Sequence, residues 1–435
     1  MRRYDSYKDS GVEWIGEIPS GWKKLKIKHL FSHTKGKNGQ KLTKEFIGNN
    51  PGEYPVYSGT TKGEGHLGKT NEYEFDTQDR EVIFVSTVGS DTTVMSTKVL
   101  KGKFNLSQNC LIMTPKFDFS SRYQYYFSTH DFPYQRTVLP IVLKEGHRSV
   151  GMGELNEFTS LLPPLSEQQQ IVSFLDTKTS LIDSLIEKTQ RKIELLKEKR
   201  TSLINEVVTK GLNPNVETND SGVEWIGEIP SHWSKTKMKH VVDIFGRIGY
   251  RGYTTEDIVD EGEGVITISP SNIFEDKFST DNSTFLSWEK YHESPEIQIF
   301  PNDIILVKTG STIGKTSIIP EDVPEMTINP QLVVLKNIKI FPKYLYYQTV
   351  CKFIKESFDI EQTGSSTPTI SQEKVKDFPI LEPPLSEQQQ IVEYLDEQTQ
   401  KIDKIISIEE KRIKLLKEYR QSLISEVVTG KRKVV

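Results

Sequence analysis

The chain repeats itself, and that repeat limits what it can fold into. Ser10-Gly-Val-Glu-Trp-Ile-Gly-Glu-Ile-Pro-Ser-Gly-Trp22 returns with one change as Ser221-Gly-Val-Glu-Trp-Ile-Gly-Glu-Ile-Pro-Ser-His-Trp233. Pro163-Pro-Leu-Ser-Glu-Gln-Gln-Gln-Ile-Val172 returns unchanged as Pro383 to Val392, and Ser202-Leu-Ile-Asn-Glu-Val-Val-Thr209 returns with one change as Ser422-Leu-Ile-Ser-Glu-Val-Val-Thr429. Between these frames, residues 34–160 and 245–380 share little beyond a strand-and-turn texture. Copies that agree in frame and differ in insert fit two readers of different targets on a common mount. They also fit an old duplication whose inserts drifted.

The second frame of each copy opens a long helix. Pro163-Pro164 cannot continue a helix from upstream. Ser166 then reads as N-cap with Gln169 at N3, a capping box that Ser386 and Gln389 repeat. From there apolar residues recur at 3.5-residue spacing, the mark of a coiled coil. The seam includes Ile182, Ile186, Ile193, Leu196 and Leu203 in the first helix, and Ile402, Ile406, Ile413, Leu416 and Leu423 in the second. Leu195 and Leu415 widen the stripe, and Thr189 against Glu409 is the one seam difference. Each helix spans about 43 residues, about 65 Å at 1.5 Å per residue. The polar linker from Gly211 to Asn219 reaches at most about 30 Å, which sets the second globular part at the far end of the first helix. The second helix then pairs best by running back. The expected organisation is a mixed α/β (α+β) chain with a pseudo-two-fold internal repeat. Two recognition domains, 1–162 and 221–382, are separated by helices 163–210 and 383–430 in an antiparallel coiled coil, with linker 211–220. The charged helix faces read as solvated surface or as docking faces for partner subunits.

Composition narrows the class. The 435 residues include only Cys110 and Cys351, and the formal charge is −4. Such cysteine usage suits a reducing cytoplasm. No apolar run approaches 18 residues, so neither secretion nor a membrane span is expected. An acidic total is unusual for a protein that binds nucleic acid alone. DNA contact would need local basic surface or a partner that supplies charge.

Both inserts read as mixed α/β domains with short strands and Gly-rich turns. Trp22 to Leu30 alternates lysine with apolar residues, as a half-buried strand does, and Lys235, Lys237 and Lys239 echo it. Alternating lysine equally suits a solvated face. Glu81 to Gly89 and Asp303 to Gly310 read as strand followed by polar turn, and Asn109 and Asn329 stand at equal distances before the two helices. Reading DNA needs donors and acceptors on loops that reach base edges, with cations for phosphate. Candidates in the first copy are Lys35, Lys37, Asn38, Lys62, Lys69, Arg148 and Ser149. In the second they are Arg247, Tyr250, Arg251, Lys308, Ser311, Ser365 and Ser366. Each loop alone also fits an ordinary solvated turn; the set on duplicated domains carries the reading.

Signals for catalysis fail. Gly310-Ser-Thr-Ile-Gly-Lys-Thr316 is one residue short of a phosphate loop. No Asp/Asn-Pro-Pro-aromatic segment offers an amino-methyltransferase site; Asn329-Pro330 is followed by Gln331 and Leu332. Glu275-Asp-Lys277 lacks the rest of a nuclease set, and the eight histidines show no metal-ligand spacing. No catalytic residue, metal or cofactor is therefore expected in this chain.

Trp-Ile-Gly-Glu-Ile-Pro opening each half, and Pro-Pro-Leu-Ser-Glu-Gln-Gln-Gln-Ile-Val opening each helix, closely resemble the specificity subunit of type I restriction–modification enzymes. The resemblance covers essentially the whole chain. It implies that each domain reads one half of a split site in double-stranded DNA. The helices would fix the gap and bind two modification subunits, which hold S-adenosylmethionine and methylate adenine. Restriction subunits would translocate and cleave with ATP. Asn109-Cys110-Leu111 departs from Asn329-Pro330-Gln331, so single contacts do not transfer. The competing reading is a non-catalytic coiled-coil adaptor whose end domains bind proteins.

Overall fold

Two proline-led motifs start the longest elements. The computed structural model describes residues 3–59, 65–89, 94–138, 142–144, 147–247, 252–274, 277–363 and 367–434, with backbone alone for 131–138, 142–144 and 147–148. The first long helix runs Leu165–Lys210 over 46 residues and the second Leu385–Val428 over 44. Both begin earlier than the Ser-x-x-Gln pattern predicts. Pro164 O accepts from the amides of Glu167 and Gln168, both at 2.9 Å, and Pro384 O from those of Glu387 and Gln388. The proline carbonyl thus takes the first helical bonds, and Ser166 and Ser386 lie exposed inside the first turn. Among the described residues no helix is long and apolar enough to cross a membrane.

Contacts divide the chain into two compact units, 1–190 with 410–435, and 191–409. Each therefore holds one globular part and a stretch of both long helices. In the second unit Lys192 Nζ meets Glu409 Oε1 at 2.6 Å and Arg200 Nε meets Asp403 Oδ1 at 3.0 Å. Numbers rise along one helix as they fall along the other, so the helices run antiparallel there. The repeat-equivalent pair in the first unit is Arg420 Nε with Asp183 Oδ1, at 2.9 Å. Ile182, Ile193, Ile402, Ile406, Ile413 and Leu423 are buried, and Ile186, Leu196, Leu203 and Leu416 are half-buried. Leu195 and Leu415 are not part of this stripe: they are 48% and 54% exposed.

The inserts share a topology that their sequences conceal. In the first copy one sheet orders Phe31–Lys35, Cys110–Pro115, Val82–Ser86 and Thr97–Leu100, all antiparallel. In the second, Asp243–Gly246, Leu332–Lys336, Ile304–Val307 and Thr316–Ile318 stand in the same order and sense. The inner strands Val82–Ser86 and Ile304–Val307 are buried throughout, as strands covered on both faces must be. A second sheet in each copy is built around a parallel pair. Pro51–Tyr57 lies beside Lys103–Leu106, and Val265–Ile268 beside Met326–Ile328. The alternating-lysine segment forms a strand only over Lys23–Lys26, followed by a helical turn at Ile27–Leu30.

Candidate nucleic-acid interface

In both units the globular part is held to its long helix at the same two places. Glu167, in the first turn of its helix, accepts from Trp22 Nε1 at 3.0 Å and from the Tyr4 hydroxyl. Glu387 accepts from Trp233 Nε1 at 3.1 Å and bonds His232 Nε2 at 2.9 Å. A carboxylate suits this place because a helix N-terminus carries partial positive charge. The two repeated motifs are thus two halves of one joint. Gln168 tightens it by donating to Pro163 O and accepting from Ser120 N, and Gln388 does so with Pro383 O and Phe341 N.

A second lock lies further along each helix. Tyr126 donates to Asp176 Oδ1 at 2.7 Å and bonds Thr179, while Arg122 meets Asp176 Oδ2 at 3.0 Å. Tyr347 donates to Asp396 Oδ1 at 2.6 Å and bonds Thr399, while Lys343 meets Asp396 Oδ2 at 2.6 Å. Sequence reasoning missed both devices. The signal was present, since every helix member of each lock recurs at its repeat position. The alternating lysines belong to this mount as well. Lys24 and Lys235 donate to Ser10 O and Ser221 O. Lys26 and Lys28 share Glu157, holding its carboxyl down at about 2, and Lys237 and Lys239 share Asp377, lowering it likewise.

A further feature recurs in both units, where loops converge at one end of the central sheet. In the first unit Thr87 donates through its amide and hydroxyl to Asn109 O. Val150 N donates to Thr87 O, and Val88–Gly89 pairs with Arg148 and Ser149. In the second unit Lys308 N donates to Gln331 O at 2.8 Å, Ile370 N to Lys308 O at 2.9 Å, and Gly310 N to Pro368 O at 2.8 Å. The same three segments therefore meet in both copies. These bonds make Gln331, not Asn329, the counterpart of Asn109. Asn329 instead caps its own turn, accepting from Gln331 N at 3.0 Å. The exit of the first sheet strand adds a fourth segment, because Lys35 pairs with Leu111 and Gly246 with Val333 at this same end.

Of the sequence candidates, Lys35, Lys37, Asn38, Ser149 and Ser311 are exposed at this end, and the Arg148 backbone lies there. Glu74 clamps the amides of Lys37 (2.6 Å) and Asn38 (3.3 Å), which leaves their side chains outward. Gly39 is required beneath them, because a Cβ there would stand 2.9 Å from Gln108 N. Lys308 is half-buried, with its ammonium held below the usual lysine range by desolvation. No side-chain partner neutralises it among the described residues, so it can take an acceptor from outside. Lys69 is exposed on the second sheet, opposite Pro55. Arg247 is a correction: it is buried, donating to Ile328 O and Thr327 Oγ1, each at 3.1 Å, beside the Tyr253 ring. It ties the end of the first-sheet strand Asp243–Gly246 to the strand Met326–Ile328 of the second sheet and is not on the surface. Lys62, Tyr250, Arg251, Ser365 and Ser366 lie outside the described residues.

The near-phosphate loop is a hairpin turn. Gly314 N donates to Val307 O, and Thr316 begins the next strand, where a phosphate loop would start a helix. Lys277 is taken up by Asp403 at 3.1 Å.

Comparison with known proteins agrees with this architecture. Residues 19–195 and 230–418 match the type I restriction modification DNA specificity domain. The chain is 28% identical over 278 residues to the type I restriction enzyme MjaVIII specificity subunit of Methanocaldococcus jannaschii. That match covers 63% of this chain and 62% of the relative's length. A specificity-subunit relative in the same organism, MjaX, is 23% identical over 438 residues, covering 97% and 96%. A solved chain from a study of complex assembly and conformational transition of the type I R-M system superimposes with TM-score 0.69 at 15% identity. It covers 94% of this chain and 98% of that one, a likeness of fold.

Proposed function

The chain belongs to the type I restriction–modification DNA specificity family, and from that premise we propose that it is the sequence-specificity subunit of such a complex. Each recognition domain reads one half of a bipartite site in double-stranded DNA. The observation that carries the reading is the contrast between mount and loops. The tryptophan–glutamate joints at Trp22 and Trp233, and the tyrosine–aspartate locks at Tyr126 and Tyr347, repeat. The converging loops do not: Lys308 stands where the first copy has Thr87, and Gln331 where it has Asn109. Different donors and acceptors on one framework are what two different half-sites require.

In this reading the chain itself does no chemistry. The long helices form the antiparallel coiled coil that sets the gap, with the seam at Ile182, Ile186, Ile193, Leu196, Leu203 and their copies. Two modification subunits dock on the helices and methylate adenine, restriction subunits act with ATP, and the complex works in the cytoplasm. Lys35, Lys37, Asn38, Arg148, Ser149, Lys308 and Ser311 supply contacts to phosphate and base edges. Exposed apolar side chains on the outer helix faces, Leu181, Leu195, Ile408 and Leu415, support partner docking, because such residues are costly to leave in water.

The test maps methylated adenines genome-wide in cells with and without this chain, then measures binding of the reconstituted complex to the site found. The expected result is a two-part site with a fixed gap, bound in preference to a scrambled duplex and weakened by salt as counterions are displaced. Equal binding to all duplexes would sink the reading. Methyl transfer by the isolated chain would reopen an enzyme assignment.

A further inference from the structure

Each long helix is succeeded by a glycine in the left-handed region, Gly211 and Gly430, both at φ +73. Each glycine stands against the tryptophan of a repeated frame, Gly211 at Trp233 and Gly430 at Trp22. Beyond the glycines the two copies diverge. In the first unit Lys431-Arg432-Lys433-Val434 folds back onto the helix. The Arg432 amide donates to Glu426 O at 2.9 Å. Its guanidinium carbon lies 5.7 Å from the Phe174 ring centre, with a nitrogen 3.8 Å from the Glu426 carboxylate. Lys433 lies over the Tyr4 ring, and Val434 packs on the core cluster. Two passages of chain thus fill this seat, the tail and the segment around Tyr4.

In the second unit one linker must serve for both. Leu212-Asn213-Pro214 comes after the glycine, and Asn215 stands at the repeat position of Tyr4. The walls of the seat persist, with Tyr394 in place of Phe174 and Glu206 in place of Glu426. They now border an open groove of about 670 Å³, together with Glu228, Leu203 and Leu212. Tyr394 is 37% exposed. Among the described residues, two carboxylates line the groove against a single cation, Lys210. It also adjoins a helix C-terminus, which attracts positive charge. A ring face beside a carboxylate is a place for a guanidinium.

We propose that this groove receives a basic, extended segment of a partner protein, an arginine followed within two residues by an aliphatic side chain. It would be seated as Arg432 and Val434 are seated in the first unit. The acidic lining disfavours DNA there, so the site is independent of the reading surface and of the specificity assignment.

The test uses the full chain and a fluorescein-labelled peptide, Gly-Lys-Arg-Lys-Val-Val, the sequence of residues 430–435, followed by anisotropy. Saturable binding is expected. It should weaken about ten-fold in Tyr394→Ala and in Glu206→Gln, the loss expected for a cation–π contact and a charge-assisted bond. It should stay unchanged in Phe174→Ala and be lost when the peptide's arginine is glutamine. Both groove positions are solvent-accessible, so unchanged thermal melts will show that the variants fold. Absence of saturable binding, or binding that survives both groove variants, overturns the proposal. So does binding that depends on Phe174, since the peptide would then be displacing the chain's own tail.

Discussion

A tyrosine hydroxyl that meets a carboxylate below the surface has few alternatives. Tyr347 is buried, its hydroxyl 2.6 Å from Asp396, so Tyr347→Phe removes a charge-assisted bond and leaves the carboxylate one donor short. We expect a loss of about 1–2 kcal/mol in urea denaturation, and a similar loss for Tyr126→Phe. No loss in either would show that the lock is dispensable. His130 behaves in the opposite way. Desolvation, helped by the Lys431 charge, lowers its imidazole to about 4 from 6.5, so the native state keeps it neutral. Because the folded value lies below the unfolded one, its contribution is present above pH 6.5 and disappears as pH falls toward 4. The difference in stability between the wild type and His130→Gln should shrink over that window, by no more than about 3 kcal/mol. A difference independent of pH would refute the assignment. Side-chain environments of this kind are not written in residue type. Arg247 and Arg148 look alike in sequence, yet Arg247 is buried under two strand acceptors.

Among elements, the long helices were the most legible, because a 3.5-residue period over many turns has no other use. Their starts were not, since a proline carbonyl can take the first bonds that a serine side chain would otherwise satisfy. The sheets were least legible. Strand pairing joins residues far apart in sequence, so the Asn109–Gln331 equivalence emerges only from hydrogen bonds, and the equal spacing of Asn109 and Asn329 misleads. Within the helix pair, burial should outweigh charge. Ile402 is 7% exposed, and Ile402→Ala should cost about 2–4 kcal/mol. Arg200→Ala, which breaks a partly solvated pair with Asp403, should cost about 1 kcal/mol. The reverse order in matched denaturation curves would mean that ions, not the seam, hold the helices.

For the whole molecule, the proposed role of the helices is as a ruler. Removing one heptad from each keeps the apolar period in phase, so a complex carrying both deletions should still bind DNA but prefer a changed gap between half-sites. Binding selections with randomised spacers will read this directly, and an unchanged gap would exclude the helices as spacer. The duplication also bears on change over time. The Trp22 and Trp233 joints come from the repeated frames and the long helices. The strands Lys23–Lys26 and Thr159–Leu162 pair side by side where the first insert leaves and returns, as Ser234–Lys237 and Pro379–Glu382 do in the second. The insert is therefore a cartridge with both of its ends at one socket. On the proposed reading, exchanging the insert at this one socket would change the target while leaving the outer faces of the long helices as they are.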